Sequence, residues 1–310
     1  MKEKVRVALC QLEVVDDKAA NLERARRAVV EAARRGAELV VLPEMFNCPY
    51  AHRYFRPYAE PYPELPGEGA VLGEDAPAGE GTVSDGGAMP AENGEPTGGS
   101  AGPTWETVSG AARETGVHLV AGTVPELDDQ GRVYNTALFV GPDGRLLAKH
   151  RKVHLFDVDI PGGITFRESD TLSAGDAVTV VKTPLGVVGL AVCYDLRFPE
   201  LARAMVDRGA EILVYPAAFN TTTGPMHWHL LLRARAVDYQ VFVLGVSPAR
   251  HRESPYQAYG HSLAVDPWGR IAVEAGTGEE LLIVELEREG LVGARRQIPV
   301  LRQRRPDVYG

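Results

Sequence analysis

Hydrophobic and polar positions along the 310-residue chain fall into two recurring patterns, short apolar runs and longer stretches of helical period. Residues 5–13 ("VRVALCQLE") read as a strand, 18–35 as an amphipathic helix with Leu22, Ala25, Val29 and Ala32 on one face, and 38–43 ("ELVVLP") as a buried strand. A helix near 104–115 follows, then strands near 117–124 and 133–140, and a "GPDG" turn leading into a strand that ends in "AKHRK". Beyond residue 176 the pattern repeats. Strands are predicted at 177–182, 187–193, 211–216, 241–247, 260–266, 270–274 and 280–286, with helices at 199–208 and 225–239.

Two of these strands echo each other. "GAELVVLP" (36–43) and "GAEILVYP" (209–216) each follow a helix, with Gly at the helix stop and an apolar strand ending in Pro. The echo implies two matched βαβ halves. Strands apolar on both faces must be covered twice, which predicts an α/β protein with two sheets packed together and helices outside.

One segment breaks the pattern. Residues 66–103 hold 11 Gly, 5 Pro and 7 acidic residues, with no aromatic, Lys or Arg. Such a stretch buries too little apolar surface to offset its conformational entropy, so it reads as a mobile insertion in a single domain spanning 1–310. The tail, 287–310, carries Arg295, Arg296, Arg302, Arg304 and Arg305 and reads as a charged arm, a subunit contact or a solvated helix end.

Composition narrows the function. Hydrophobic residues at 45% and charged residues at 24% are the balance of an ordinary globular protein. A formal charge of -9, most of it from the insertion, disfavours nucleic acid or an anionic membrane as the main partner and leaves small molecules. No apolar run approaches the roughly 18 residues needed to span a bilayer. Cys10, Cys48 and Cys193 cannot build a disulfide framework and show no CxxC spacing, so a reducing, cytoplasmic setting is expected.

Three reactive side chains occupy equivalent places. Glu44 follows "LVVLP", Lys152 follows "LLAKHR" and Cys193 follows "GLAV", each at or just beyond a strand's carboxyl end. That rim is where open α/β sheets bind ligands. A cysteine attacks as its thiolate, and a neighbouring carboxylate and ammonium supply the base and the cation this needs. Alone, Cys193 reads rather as a buried structural cysteine, and only the combination with Glu44 and Lys152 reverses that reading. His227 and His229 in "HWH" diverge on a helix and do not make a metal pair, and no histidine shows a Cys-His protease context. Asp195 and Arg197 are placed to pair with each other.

With their flanks, "PEMFNCPY", "KHRKVHLFDVDIPG" and "CYDLRFPE" resemble the three motifs of the nitrilase superfamily of carbon-nitrogen hydrolases, over essentially the whole chain except the insertion. The resemblance implies a four-layer αββα sandwich with Glu44, Lys152 and Cys193 as a catalytic triad. It places Glu168, in "FRES", as a second glutamate beside the lysine. "FDVDIPGGITFRES" and "FNTTTGPMHW" look most similar to the omega-amidase branch, which hydrolyses monoamides of short 2-oxo dicarboxylic acids through a thioester. The deaminated-glutathione amidase branch shares "CYDLRFPEL" and stays open, as do a true nitrilase and a non-catalytic scaffold of the same fold. The implied chemistry uses the backbone N–H of Tyr194 with Lys152 for the oxyanion, and Arg197 for a substrate carboxylate. A salt bridge from Arg197 to Asp195 or Glu200 is the competing role. No metal or organic cofactor is expected, and a homodimer or larger homo-oligomer is.

Overall fold

The architecture was read from a computed structural model that describes residues 1–65, 102–251, 253–254 and 256–309. The predicted insertion, but for Gly102 and Pro103, lies outside the described residues. The first half contains β1 (Lys4–Gln11), α1 (Lys18–Arg34), β2 (Leu39–Val41), α2 (His52–Tyr58), α3 (Pro103–Thr115), β3 (His118–Val120), β4 (Val124–Leu127), β5 (Val133–Val140) and β6 (Leu146–Arg151). A small hairpin of β7 (Asp157–Asp159) and β8 (Thr165–Arg167) leads to the second half. There β9 (Thr179–Thr183), β10 (Gly186–Leu190), α4 (Pro199–Asp207), β11 (Ile212–Pro216), α5 (Gly224–Tyr239), β12 (Phe242–Val246), β13 (Leu263–Val265) and β14 (Ile271–Glu274) follow. The chain then runs through β15 (Glu280–Glu287), α6 (Arg288–Gln297) and α7 (Pro306–Tyr309).

Each half centres on three parallel strands. In the first sheet β1, β2 and β3 are parallel neighbours, flanked by antiparallel β15 on one side and β5 with β4 and β6 on the other. In the second, β10, β11 and β12 are parallel, flanked by antiparallel β9 and by β13 with β14. Both triplets are crossed by helices in the order expected of a doubled βαβαβ unit, α1 and α3 in one and α4 and α5 in the other. The sequence echo marks the same place in each, since it covers β2 and β11. Gly36 and Gly209, the helix stops before them, adopt left-handed φ of 81° and 92°.

Alternation along the strands then builds four layers. Val5, Val7 and Leu9 of β1 point between the sheets and meet Val188, Leu190, Ile212, Val214 and Leu244 in one buried cluster. Ala8 and Cys10 point outward and pack with Leu22, Ala25, Val29 and Ala32 of α1 and with Ala111 and Ala112 of α3. On the far side Leu213 and Tyr215 pack under Ala202 and Met205 of α4 and Trp228, Leu232 and Ala236 of α5. Each sheet is thereby covered on both faces, giving the helix–sheet–sheet–helix sandwich that the sequence predicts.

The differences from the sequence reading are local. The single strand expected over 117–124 is broken into β3 and β4, because Gly122 turns with φ +44° where the Pro43 carbonyl passes. A Cβ at Gly122 would lie 1.9 Å from the Pro43 oxygen, so only glycine lets these two backbones approach. The Arg-rich tail packs against the body. Gln240 donates to the Ala294 and Ile298 carbonyls, Arg295 to the Gln240 carbonyl, and Arg304 pairs with Asp207.

Candidate active site

Glu44, Lys152 and Cys193 converge just beyond the carboxyl ends of β2, β6 and β10, and each is brought there by a different local device. Glu44 follows β2 on a segment pinned to β4's approach: the Thr123 amide donates to the Pro43 carbonyl at 3.2 Å, and the Met45 amide to Thr123 Oγ1 at 2.9 Å. Lys152 is the first residue past β6, held by its own amide donating to the Asn135 carbonyl at 2.8 Å. Cys193 follows β10 in a left-handed conformation, φ +46°, and opens a short 3-10 turn. For a residue with a Cβ that conformation costs on the order of 1–3 kcal/mol, and surrounding structure must enforce it.

Asp195 does much of the enforcing. Its carboxylate accepts from the Val192 amide at 2.9 Å, tying the turn back over Cys193, and from the His154 amide at 2.9 Å and His154 Nδ1 at 2.7 Å. His150 Nε2 approaches at 3.4 Å, with His150 Nδ1 bonded to Thr179. Burial works against ionisation of Asp195, but the hydrogen bonds from His150 and His154 outweigh it and hold the carboxyl far below the usual range. The expected Asp195–Arg197 pair does not form, because Asp195 is turned inward and saturated by these donors.

The reactive groups are sealed from water. Glu44, Lys152 and Glu168 are all 0% exposed. Lys152 Nζ lies 2.8 Å from Glu168 Oε2 and 3.3 Å from Glu44 Oε1. The Glu44 oxygens also accept from Asn135 Nδ2 at 2.8 Å and from the Ala218 amide at 2.6 Å. Glu168 accepts from the Tyr50 hydroxyl at 2.5 Å and the Phe156 amide at 2.6 Å. Glu168, a sequence-level candidate, thus lies directly on Lys152.

This arrangement sets the ionisation of each group. Burial pushes the Glu44 carboxyl up, the Lys152 cation pulls it back only partly, and the Glu168 charge raises it further. Burial also works to lower the Lys152 ammonium, but the Glu168 and Glu44 carboxylates outweigh it and hold Lys152 protonated. The Cys193 thiol is raised by burial and by Glu44, so at rest it is a thiol with a carboxyl group beside it. The set can therefore move one proton between Cys193 and Glu44 while Lys152 stays a fixed cation and donor.

Beside the thiol, a cleft of about 190 Å³ is lined by Cys193, Tyr194, Arg197, Phe219, Asn220 and Tyr256, among others. Arg197 meets no carboxylate among the described residues. Its Nη1 lies 3.1 Å from His227 Nδ1, its guanidinium sits over the Phe219 and Tyr194 rings at 4.9 and 5.6 Å, and its buried Nε lacks a partner. Tyr194 places its ring edge-on to Phe156 at 5.2 Å. His227 and His229 diverge, as expected of residues two apart on a helix: the former faces Arg197, the latter Glu274.

Sequence reasoning missed Asn135, Tyr50, Tyr256 and the two histidines on Asp195. For His150 a signal existed, since β6 alternates and buries Leu146, Ala148 and His150 on one face. Tyr256 donates its hydroxyl to the Ala218 carbonyl from a distant loop, and no periodicity marks it.

A buried cysteine, carboxylate and ammonium at the strand ends of a doubled αββα sandwich define a class, and the chain belongs to the carbon-nitrogen hydrolase family, whose model matches residues 6–296. It is a hydrolase of carbon–nitrogen bonds. Among its relatives, the omega-amidase NIT2 of Mus musculus is 46% identical over 304 residues, covering 98% of this chain and 96% of the mouse protein. The omega-amidase NIT2 of Homo sapiens is 45% identical with the same coverage. The crystal structure of Saccharomyces cerevisiae Nit3, a member of branch 10 of the nitrilase superfamily, superposes with a TM-score of 0.80 at 41% identity, covering 98% of this chain and 97% of that one. Among the described residues, no helix is long and apolar enough to cross a membrane.

Proposed function

We propose that the protein is an omega-amidase, releasing ammonia from the terminal amide of a short 2-oxo dicarboxylate monoamide such as 2-oxoglutaramate or 2-oxosuccinamate. Glu44 takes the Cys193 proton as sulfur attacks the amide carbon, and the carbonyl electron pair moves onto oxygen. Lys152 Nζ and the Tyr194 backbone N–H receive that oxyanion. As it collapses, the C–N bond breaks, and the nitrogen leaves as ammonia with the proton returned by Glu44. Glu44 then deprotonates a water that attacks the thioester, and the released thiolate recovers its proton. Glu168 keeps Lys152 in place and charged throughout.

The observation that carries the substrate class is the Arg197 guanidinium, which meets no carboxylate among the described residues and lies in the same cleft as Cys193. A guanidinium without a protein carboxylate is suited to a bidentate substrate carboxylate, and the similarity to omega-amidases supports that reading. Steady-state hydrolysis of 2-oxoglutaramate, 2-oxosuccinamate, deaminated glutathione and a neutral short amide tests it. The 2-oxo dicarboxylate monoamides should have the highest kcat/KM, and Arg197→Lys should cost them far more than the neutral amide. Preference for deaminated glutathione would move the enzyme to that branch. Equal losses on charged and neutral substrates would remove Arg197 from the binding site.

Self-association into a homodimer is part of the same proposal. Met226, Leu230 and Val237 are 60%, 63% and 50% exposed along one side of α5, an apolar stripe that a second copy would cover. Light scattering of the wild type should show a dimer and that of Leu230→Glu a shift toward monomer.

A further inference from the structure

A second cluster of metal-ligating side chains lies on the outer side of the second sheet, and none of its residues lines the cleft beside Cys193. His229 projects from α5, His261 sits just before β13, and Glu274 ends β14, where it is paired in register with Leu263. One carboxylate oxygen of Glu274 lies 2.8 Å from His229 Nε2 and 2.9 Å from His261 Nδ1. The three ligand atoms all fall within 4.8 Å of one another.

The cluster is held rather than assembled by chance rotamers. The His261 backbone is left-handed, φ +56°, and both of its polar groups are tied: its amide donates to the Gly276 carbonyl at 2.9 Å and its carbonyl accepts from Trp228 Nε1 at 2.7 Å. Tyr259 stacks on the His261 ring at 4.4 Å and meets the His229 ring edge-on at 6.0 Å.

We propose that His229, His261 and Glu274 bind a divalent transition-metal ion of the zinc class. Two neutral imidazoles and one carboxylate match the borderline ligand set of zinc, and one carboxylate alone offers too few oxygens for calcium. With the proton of each imidazole on its other ring nitrogen, a lone pair in place of an N–H meets the shared point. The side chains retain 25–33% exposure, which leaves room for water to complete the coordination sphere.

Calorimetric titration of metal-free Cys193→Ala protein with ZnCl2 tests this, the substitution removing the catalytic thiol as a competing ligand. One zinc ion per chain should bind saturably. His229→Gln and His261→Asn, the latter because Asn tolerates the left-handed backbone, should each weaken binding by more than about tenfold, since even groups outside the first coordination shell are worth about 10- to 100-fold. Both variants should melt near the parent without metal, showing that the loss is of ligands and not of fold; if either unfolds, Glu274→Gln provides the same reading. Absence of zinc uptake by the Cys193→Ala protein, or uptake that His229→Gln leaves unchanged, overturns the proposal and leaves the cluster a hydrogen-bonded His–Glu–His surface group.

Discussion

Two ionic clusters hang from the same strand, β6, and differ in their balance of charge. On one face Lys149 and Arg151 both pair with Glu126, at 3.0 and 2.9 Å, and Thr136 adds a hydroxyl donor at 2.7 Å. Just past the strand's end, Lys152 alone faces the two carboxylates Glu44 and Glu168. Burial raises both Glu126 and Glu44, yet two cations bring Glu126 below the ordinary carboxylate range while a shared cation leaves Glu44 above it. The first cluster is balanced, because Lys149 also pairs with the exposed Glu64 at 3.0 Å. The second is short of one positive charge, and that deficit is what fits Glu44 for the role of base proposed above.

The comparison breaks most severely if the single cation is removed. Lys152→Met should lower kcat/KM by about 10²- to 10³-fold or more, the usual effect of losing one oxyanion donor. It should also destabilise the protein by about 3–5 kcal/mol, because two buried carboxylates lose their counter-charge. Ammonia release and urea unfolding measure the two effects, and a mild loss in both would show that Lys152 does not serve the oxyanion.

Neutralising the extra carboxylate is the next step down. Glu168→Gln leaves one cation to one carboxylate, so the Glu44 pKa should fall. Since the base must be ionised, activity rises as pH rises through that pKa, and the acid limb of kcat/KM should lie above about 4.3 in the wild type and move lower in the variant. The maximal rate should fall less than in Lys152→Met. An unmoved acid limb would remove the charge deficit as the cause of basicity.

Smaller effects belong to the balanced cluster. Arg151→Gln should cost about 1–3 kcal/mol of stability, a hydrogen-bonded charge partner lost while Lys149 remains, with kcat nearly unchanged. Glu126 has a depressed pKa, so its contribution to stability is present above its unfolded value and lost as pH falls through its folded value. Wild-type stability should therefore decline as pH is lowered below about 4.3, and Glu126→Gln should flatten part of that decline in pH-dependent melting curves.

The contrast between the clusters also explains what the sequence could reveal. Lys149, Arg151 and Lys152 are adjacent in one motif, and nothing in their spacing says which would be buried against two carboxylates. Glu44, Lys152 and Cys193 were legible because each falls at or just beyond the end of a predicted strand, a signal of position rather than of chemistry. The doubled architecture was legible from the repeat of "GAELVVLP" as "GAEILVYP", because a glycine helix stop and a two-faced apolar strand are local features. Asn135, Tyr50 and Tyr256 reach the site from separate elements, and such convergence has no local signature. The Asp195–Arg197 pairing failed for the same reason: proximity in the chain favoured it, while His150 and His154 arrive from β6 and beyond.

β15 completes the first sheet by pairing with β1 along its full length, from Lys4 opposite Glu287 to Gln11 opposite Glu280. On the ribosome this strand emerges only after β7 to β14 have been made. At about 5–20 residues per second, β1 waits roughly 6–26 seconds with one edge unpaired after the rest of its sheet has been made. An apolar strand with a bare edge is a template for association with other chains. Nascent or truncated forms lacking β15 are thus exposed to chaperone capture and aggregation, and adding β15 is the step that makes the first sheet safe.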